Sequence, residues 1–275
     1  MIDSHHHLWQ YDPAEFDWIE EGMAVIRRSF LVAELDLLLE RSSVAGSVAV
    51  QARSCLDEND FLLAQARGSQ KICGVVGWVD LCVDDVAAQI ECYAADPLFK
   101  GVREITQGVA DGRFFAHPGF NAGVAQLVRH NLTYDLLIYQ NQFDVATEFV
   151  DRHPDQKFVL DHAGKPEIRR AAFPEAWERG IRELAKREHL VCKLSGLMTE
   201  VLDESRDSES MRRYVEVLLD AFGPERLMFG SDWPVCLLAS EYGAWQVSVR
   251  QLISSLNEGE QDCVFSETAR KFYSL

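Results

Sequence analysis

Met1-Ile-Asp-Ser-His5-His6-His7-Leu-Trp9 opens the chain. Three adjacent histidines are either the scar of an affinity tag or part of a metal site. No linker follows them, and Leu8 and Trp9 continue the segment as apolar sequence, so the run reads as native. In an extended strand the side chains alternate, which predicts His5 and His7 on one face with Asp3, and His6 on the other. Further chemistry-bearing residues recur downstream: Gln51 and Arg53, Trp78 and Asp80, Arg103 and Glu104, Asp161, His162 and Lys165, Lys193 and Ser195, and Asp232 with Trp233. Imidazole and carboxylate are the groups that hold zinc or move protons in hydrolytic sites.

Each group ends a short apolar, β-branched run. The runs are Ile2–Trp9, Gly46–Arg53, Ile72–Asp80, Gly101–Thr106, Leu132–Tyr139, Phe158–His162, Leu190–Ser195 and Leu227–Asp232. Amphipathic stretches separate them; one places Leu35, Leu38 and Leu39 on a single helical face. Eight strand–helix units predict an α/β protein, a (β/α)8 TIM barrel forming a single domain over residues 1–275. A doubly wound open sheet is the alternative, but no glycine-rich phosphate loop follows Trp9. In a barrel the active site lies at the C-terminal strand ends. Closure pairs the first strand with the last, which brings His5 and His7 beside Asp232, with His162 arriving from strand six. The stretch Gly108–Pro118 is a long connection after strand four and a candidate lid.

The net charge of −17 disfavours nucleic acid and anionic membrane as partners, since both need a basic surface. No apolar run approaches the ~20 residues of a membrane span, and no basic segment followed by an apolar stretch marks a secretory leader. Seven cysteines without a Cys-x-x-Cys pair read as reduced thiols. A cytoplasmic location is expected; association with further copies of the chain is left open.

The segments "IDSHHHLWQYDPAEFDWI", "VAVQAR", "GVVGWVDL", "GVREITQ", "LTYDLLI", "FVLDHAGKP", "CKLSGL" and "RLMFGSDWPVC" resemble the amidohydrolase superfamily. The resemblance runs nearly end to end and lies in the lactone-hydrolysing branch, close to the L-fuconolactonase-like sugar lactonases. It implies a metal site built from His5 and His7 on strand one and Asp232 on strand eight, with His162 as the strand-six histidine. Glu104 stands where many relatives carry histidine, and a carboxylate there would complete a metal site or repel an anionic substrate. Strand five offers no histidine, so at most one divalent ion, zinc, is expected on His5, His7, Glu104 and Asp232; catalysis without a metal is the alternative.

The expected activity is hydrolysis of a small sugar lactone in carbohydrate metabolism. Asp232 is the candidate general base and His162 the group that stabilises the oxyanion or protonates the leaving hydroxyl. Arg53 and Arg103 would orient the substrate, or close rim salt bridges to Asp80 or Glu104. Gln51 would read a hydroxyl. Trp9, Trp78 and Trp233 would wall the sugar ring or pack in the core, and Lys193 would be neutralised by Glu104. A metal-dependent decarboxylase acting on a small unsaturated or aromatic acid is the second reading.

Overall fold

The computed structural model describes residues 1–107, 113–169, 172–203 and 208–275. Eight parallel strands follow the eight expected runs: β1 (Ile2–His6), β2 (Gly46–Val50), β3 (Ile72–Gly77), β4 (Phe99–Ile105), β5 (Thr133–Leu137), β6 (Phe158–Leu160), β7 (Leu190–Leu194) and β8 (Leu227–Phe229). They form one sheet in sequence order, each bonded to the next. The helices described are α1 (Val32–Arg41), α2 (Leu56–Arg67), α3 (Val86–Ala94), α4 (Arg113–Ala116), α5 (Pro118–Leu127), α6 (Phe143–Arg152), α7 (Glu175–Leu184), α8 (Ser208–Phe222), α9 (Tyr242–Leu252), α10 (Glu258–Asp262) and α11 (Thr268–Tyr273). This is the (β/α)8 barrel.

Two apolar layers hold it. The outward strand residues pack against helix stripes such as Phe143, Ala146, Phe149 and Val150 of α6, whose spacing keeps one face buried. The inward layer joins Ile2, Val48, Val76, Val159, Val191 and Met228, against which α11 lays Ala269 and Tyr273.

The seam between β1 and β8 is short but bonded. Asp232 N donates to His5 O at 2.8 Å, His7 N to Trp233 O at 2.6 Å, and Ser4 Oγ to Phe229 O at 2.7 Å. β1 itself departs from simple alternation. It pairs Ile2 with Gly46 and Asp3 with Ser47, then His6 with Ala49, so one extra residue is accommodated. Such a bulge reverses the phase of the side chains beyond it. Ile2 therefore packs inside the barrel, while Asp3 turns to Ser231 N (2.8 Å) and Tyr242 Oη (3.0 Å). The shared face expected for Asp3 and the odd-numbered histidines does not exist.

The predicted lid begins at residues 108–112, which lie outside the described residues; its remainder is α4 and the start of α5.

Candidate active site

Two residues beyond the apolar inward layer the same strand faces become charged. Val159 is followed by Asp161 and Val191 by Lys193, and all four are buried. Lys193 Nζ donates to Asp135 Oδ2 at 2.7 Å, lies 3.1 Å from His5 Nδ1, and forms an ion pair with Asp161 Oδ1 at 2.9 Å. Arg103 completes the layer. Its Nη1 donates to Asp161 Oδ2 at 3.0 Å and its Nη2 to the Gln51 carbonyl. Burial pushes the Asp161 carboxyl up, but Lys193, His5 and Arg103 together outweigh it and hold the group well below the usual carboxylate range. Asp135 is raised by burial against the pull of Lys193.

Above this layer stand His5, His7, His162 and Asp232. His7 Nδ1 lies 2.8 Å from Val50 O. A carbonyl only accepts, so Nδ1 carries the proton and Nε2 keeps a lone pair. That nitrogen is 3.1 Å from His5 Nε2 and 3.4 Å from Asp232 Oδ1, and His5 Nε2 lies 3.8 Å from the same oxygen. Burial and the neighbouring Lys193 depress the His5 pKa well below its ordinary value, which leaves the ring neutral. With Nδ1 accepting from Lys193 its proton sits on Nε2, and an ion on that nitrogen would require the proton to move to Nδ1, toward Asp161 Oδ1 at 3.4 Å. Burial opposes ionisation of Asp232, but His162, His7 and His5 overcome it, and its pKa falls below the ordinary value.

His162 and Asp232 sit just past β6 and β8, in left-handed backbone with φ of 53° and 57°. Non-glycine residues adopt this region at a cost, and it concentrates at functional sites. The turns aim both side chains back over the barrel mouth. His162 Nδ1 meets Ser195 Oγ at 2.8 Å, and its Nε2 faces Asp232 Oδ1 at 3.9 Å. Gly196, at φ +66°, makes room for the ring, since a Cβ there would lie 2.7 Å from His162 Nδ1.

The donor set fits a divalent cation. Two nitrogens each about 2.0–2.1 Å from one tetrahedral ion lie roughly 3.3 Å apart, close to the 3.1 Å between His5 and His7. Two ligand groups occur among the described residues, His5/His7/Asp232 and His5/Asp161/His162. They share His5, and the Asp161 carboxylate is ion-paired with Lys193 and Arg103, so the first group is the better placed for an ion.

Other expected residues fall elsewhere. Alternation along β4 turns Glu104 away from the face that carries Arg103. Its carboxylate accepts from Trp78 Nε1 at 2.6 Å, Ser54 Oγ at 2.9 Å and Ile105 N at 2.9 Å, so Glu104 does not join the histidines. Lys193 pairs with Asp135 and Asp161 instead of Glu104. Arg53 bonds Glu58 Oε2 at 2.8 Å and Glu15, and neither Asp80 nor Glu104. Gln51 is buried and donates to the Arg103 carbonyl at 3.1 Å, which braces the arginine's strand. Trp9 and Trp233 are core residues around Phe30.

A cavity of about 970 Å3 opens above His7, His162 and Asp232. Arg53, Arg103 and Lys165 also line it, and Trp18, which the sequence reading passed over, supplies its indole wall. The sequence by itself assigns no role to Asp135 or Asp161 either. The phase of the inward valines was the signal for Asp161 and Lys193; nothing local marks Asp135 or Trp18.

An eight-stranded β/α barrel with a His/His/Asp cluster at its mouth is the architecture of a metal-capable barrel enzyme. The chain belongs to the amidohydrolase family, whose model, described as Amidohydrolase, matches residues 2–275. It is 40% identical to an L-fucono-1,5-lactonase of Burkholderia multivorans over 287 aligned positions, covering 100% of this chain and 96% of the relative. An L-fucono-1,5-lactonase of Burkholderia ambifaria is 35% identical, with 100% and 95% covered. A crystal structure of an amidohydrolase from Burkholderia multivorans with bound zinc superposes with a TM-score of 0.96 at 38% identity, covering 100% of this chain and 99% of that one.

Proposed function

We propose that this chain hydrolyses an uncharged sugar lactone, with L-fucono-1,5-lactone the first candidate. The observation that carries the reading is the 40% identity to an L-fucono-1,5-lactonase across the whole chain. The cavity supports it independently. Each cation lining it is matched by an internal carboxylate: Arg53 by Glu58, Arg103 by Asp161, and Lys165 by Glu200 at 3.0 Å. Among the described lining residues no unmatched cation waits for a substrate carboxylate, which disfavours the decarboxylase.

Asp232, ionised because its pKa lies below the ordinary carboxylate value, takes a proton from water as the oxygen attacks the ring carbonyl. The tetrahedral oxyanion collapses, the ring C–O bond breaks, and the ring oxygen leaves as a hydroxyl. His162, whose pKa burial lowers to about 4, is neutral. With Ser195 Oγ–H donating to Nδ1, its proton sits on Nε2, where it hydrogen-bonds the departing ring oxygen, and the proton that Asp232 took from water passes to that oxygen. Arg103 lies along the same wall and orients the carbonyl. His5, His7 and Asp232 would hold one divalent ion, zinc by its nitrogen and oxygen donors; such an ion polarises a carbonyl and lowers the pKa of bound water to about 7. Seven free thiols accord with a reducing cytoplasm.

The test is a pH-indicator screen of sugar lactones against metal-quantified protein, with and without chelator. Acid release from a neutral aldonolactone is expected. Carbon dioxide release from an unsaturated acid with every lactone inert would replace the reading, and full turnover by metal-free protein would make the ion dispensable.

A further inference from the structure

The cation layer does not end at Lys193. Tyr273, in α11 near the chain's last residue, is 1% exposed and donates its Oη–H to Asp135 Oδ2 at 2.6 Å. The same oxygen accepts Lys193 Nζ at 2.7 Å, while Thr133 Oγ1 donates to Asp135 Oδ1 at 3.0 Å. Asp135 is thus shared among three donors. Lys193 in turn lies against His5 Nδ1 and, as an ion pair, against Asp161 Oδ1. The line Tyr273–Asp135–Lys193–His5 crosses the barrel from the α11 side to the mouth, through valine and methionine packing that offers no other polar partner among its members. Burying such a chain gains little stability over an apolar core of the same shape.

We propose that Tyr273 is a positioning residue for His5, acting through Asp135 and Lys193. It works by competition. With the phenol on Asp135 Oδ2, the carboxylate cannot draw the ammonium wholly to itself, and Lys193 stays centred between Asp135, Asp161 and the imidazole. Remove the phenol oxygen and Lys193 moves toward Asp135, loosening its bond to His5 Nδ1. The imidazole then loses the contact that sets its tilt toward His7 and Asp232. Tyr273 does not line the cavity, so substrate contacts are untouched.

This role rests on the proposed hydrolase reading, and its test includes a readout that does not. Tyr273→Phe keeps the ring and removes only the donor; Tyr273→Leu also removes the ring and reports packing. In the full chain at matched metal content, Tyr273→Phe should lower kcat about tenfold with KM within about twofold. The side-chain 15N resonances of His5 should shift. Only Tyr273→Leu should lower the melting temperature strongly. Wild-type kcat and unmoved His5 resonances in Tyr273→Phe would overturn the proposal, whatever the melting temperature. If wild-type protein turns over no lactone, the hydrolase reading fails separately and the His5 resonances alone decide: moved supports the link, unmoved overturns it. Should Tyr273→Phe fail to fold, Thr133→Val strips another donor from Asp135 and carries the same expectation and the same refutation.

Discussion

Asp232 carries the greatest chemical demand, because its carboxylate lies within 4 Å of three imidazoles and lines the cavity. Asp232→Asn nearly preserves shape and removes the proton acceptor, so kcat should fall about 10²–10⁴-fold, with less change in KM. A folded variant with near wild-type turnover would take Asp232 out of the mechanism. His6, beside these residues, has a different task. It is fully buried and bonded through Nε2 to Ser47 Oγ at 3.1 Å, and burial pulls its pKa down to about 3. The folded chain therefore keeps His6 neutral where the unfolded chain, near 6.5, has protonated it. A depressed folded pKa gives stability that is present above pH 6.5 and lost as pH falls through about 3. Across that window the residue adds up to about 1.4 kcal/mol per pH unit to the loss. Urea titrations of His6→Gln should show a shallower decline by roughly that slope; an unchanged slope would clear His6 of acid lability.

At the scale of the element, the turns after β6 and β8 do the aiming, and Gly196 at the end of β7 permits it. Gly196→Ala forces a Cβ against the His162 ring in a left-handed conformation. The expected result is a stability loss of about 1–3 kcal/mol together with loss of the His162–Ser195 bond and most of the activity. Calorimetry and kcat on the same preparation check both, and a silent substitution would mean that the turn yields. All eight strands were legible, because apolar β-branched runs and turn residues are local signals. The C-terminal strand-end rule likewise put His5, His7, His162 and Asp232 together. What failed was phase and partnership. The β1 bulge detached Asp3 from the face of His5, and the alternation of β4 removed Glu104. Arg53 turned to Glu58 in the first turn of α2 and to Glu15. The partners of Lys193 come from β5 and the turn after β6, which only the closed sheet brings to it.

Across the whole molecule the charge is −17, and Glu15, Asp17, Glu20 and Asp57 stand around the cavity. This field repels anions at distances of a Debye length, about 8–10 Å at ordinary ionic strength. A carboxylated lactone should show at least a roughly tenfold lower kcat/KM than its neutral counterpart, the gap narrowing as salt rises. Equal, salt-independent rates for the two would show that the field plays no part in selection. The seam between β1 and β8 has a temporal consequence as well. The Asp3–Ser231 bond joins positions 228 apart, and His5 and Asp232 belong to the same closure. On a ribosome the first two histidines of the cluster leave the tunnel long before the aspartate exists. Contacts of such long range form late because loop closure must be met first. During refolding, recovered turnover should therefore lag behind recovered helix signal, which makes the enzyme's own activity a clock for the last event of its folding.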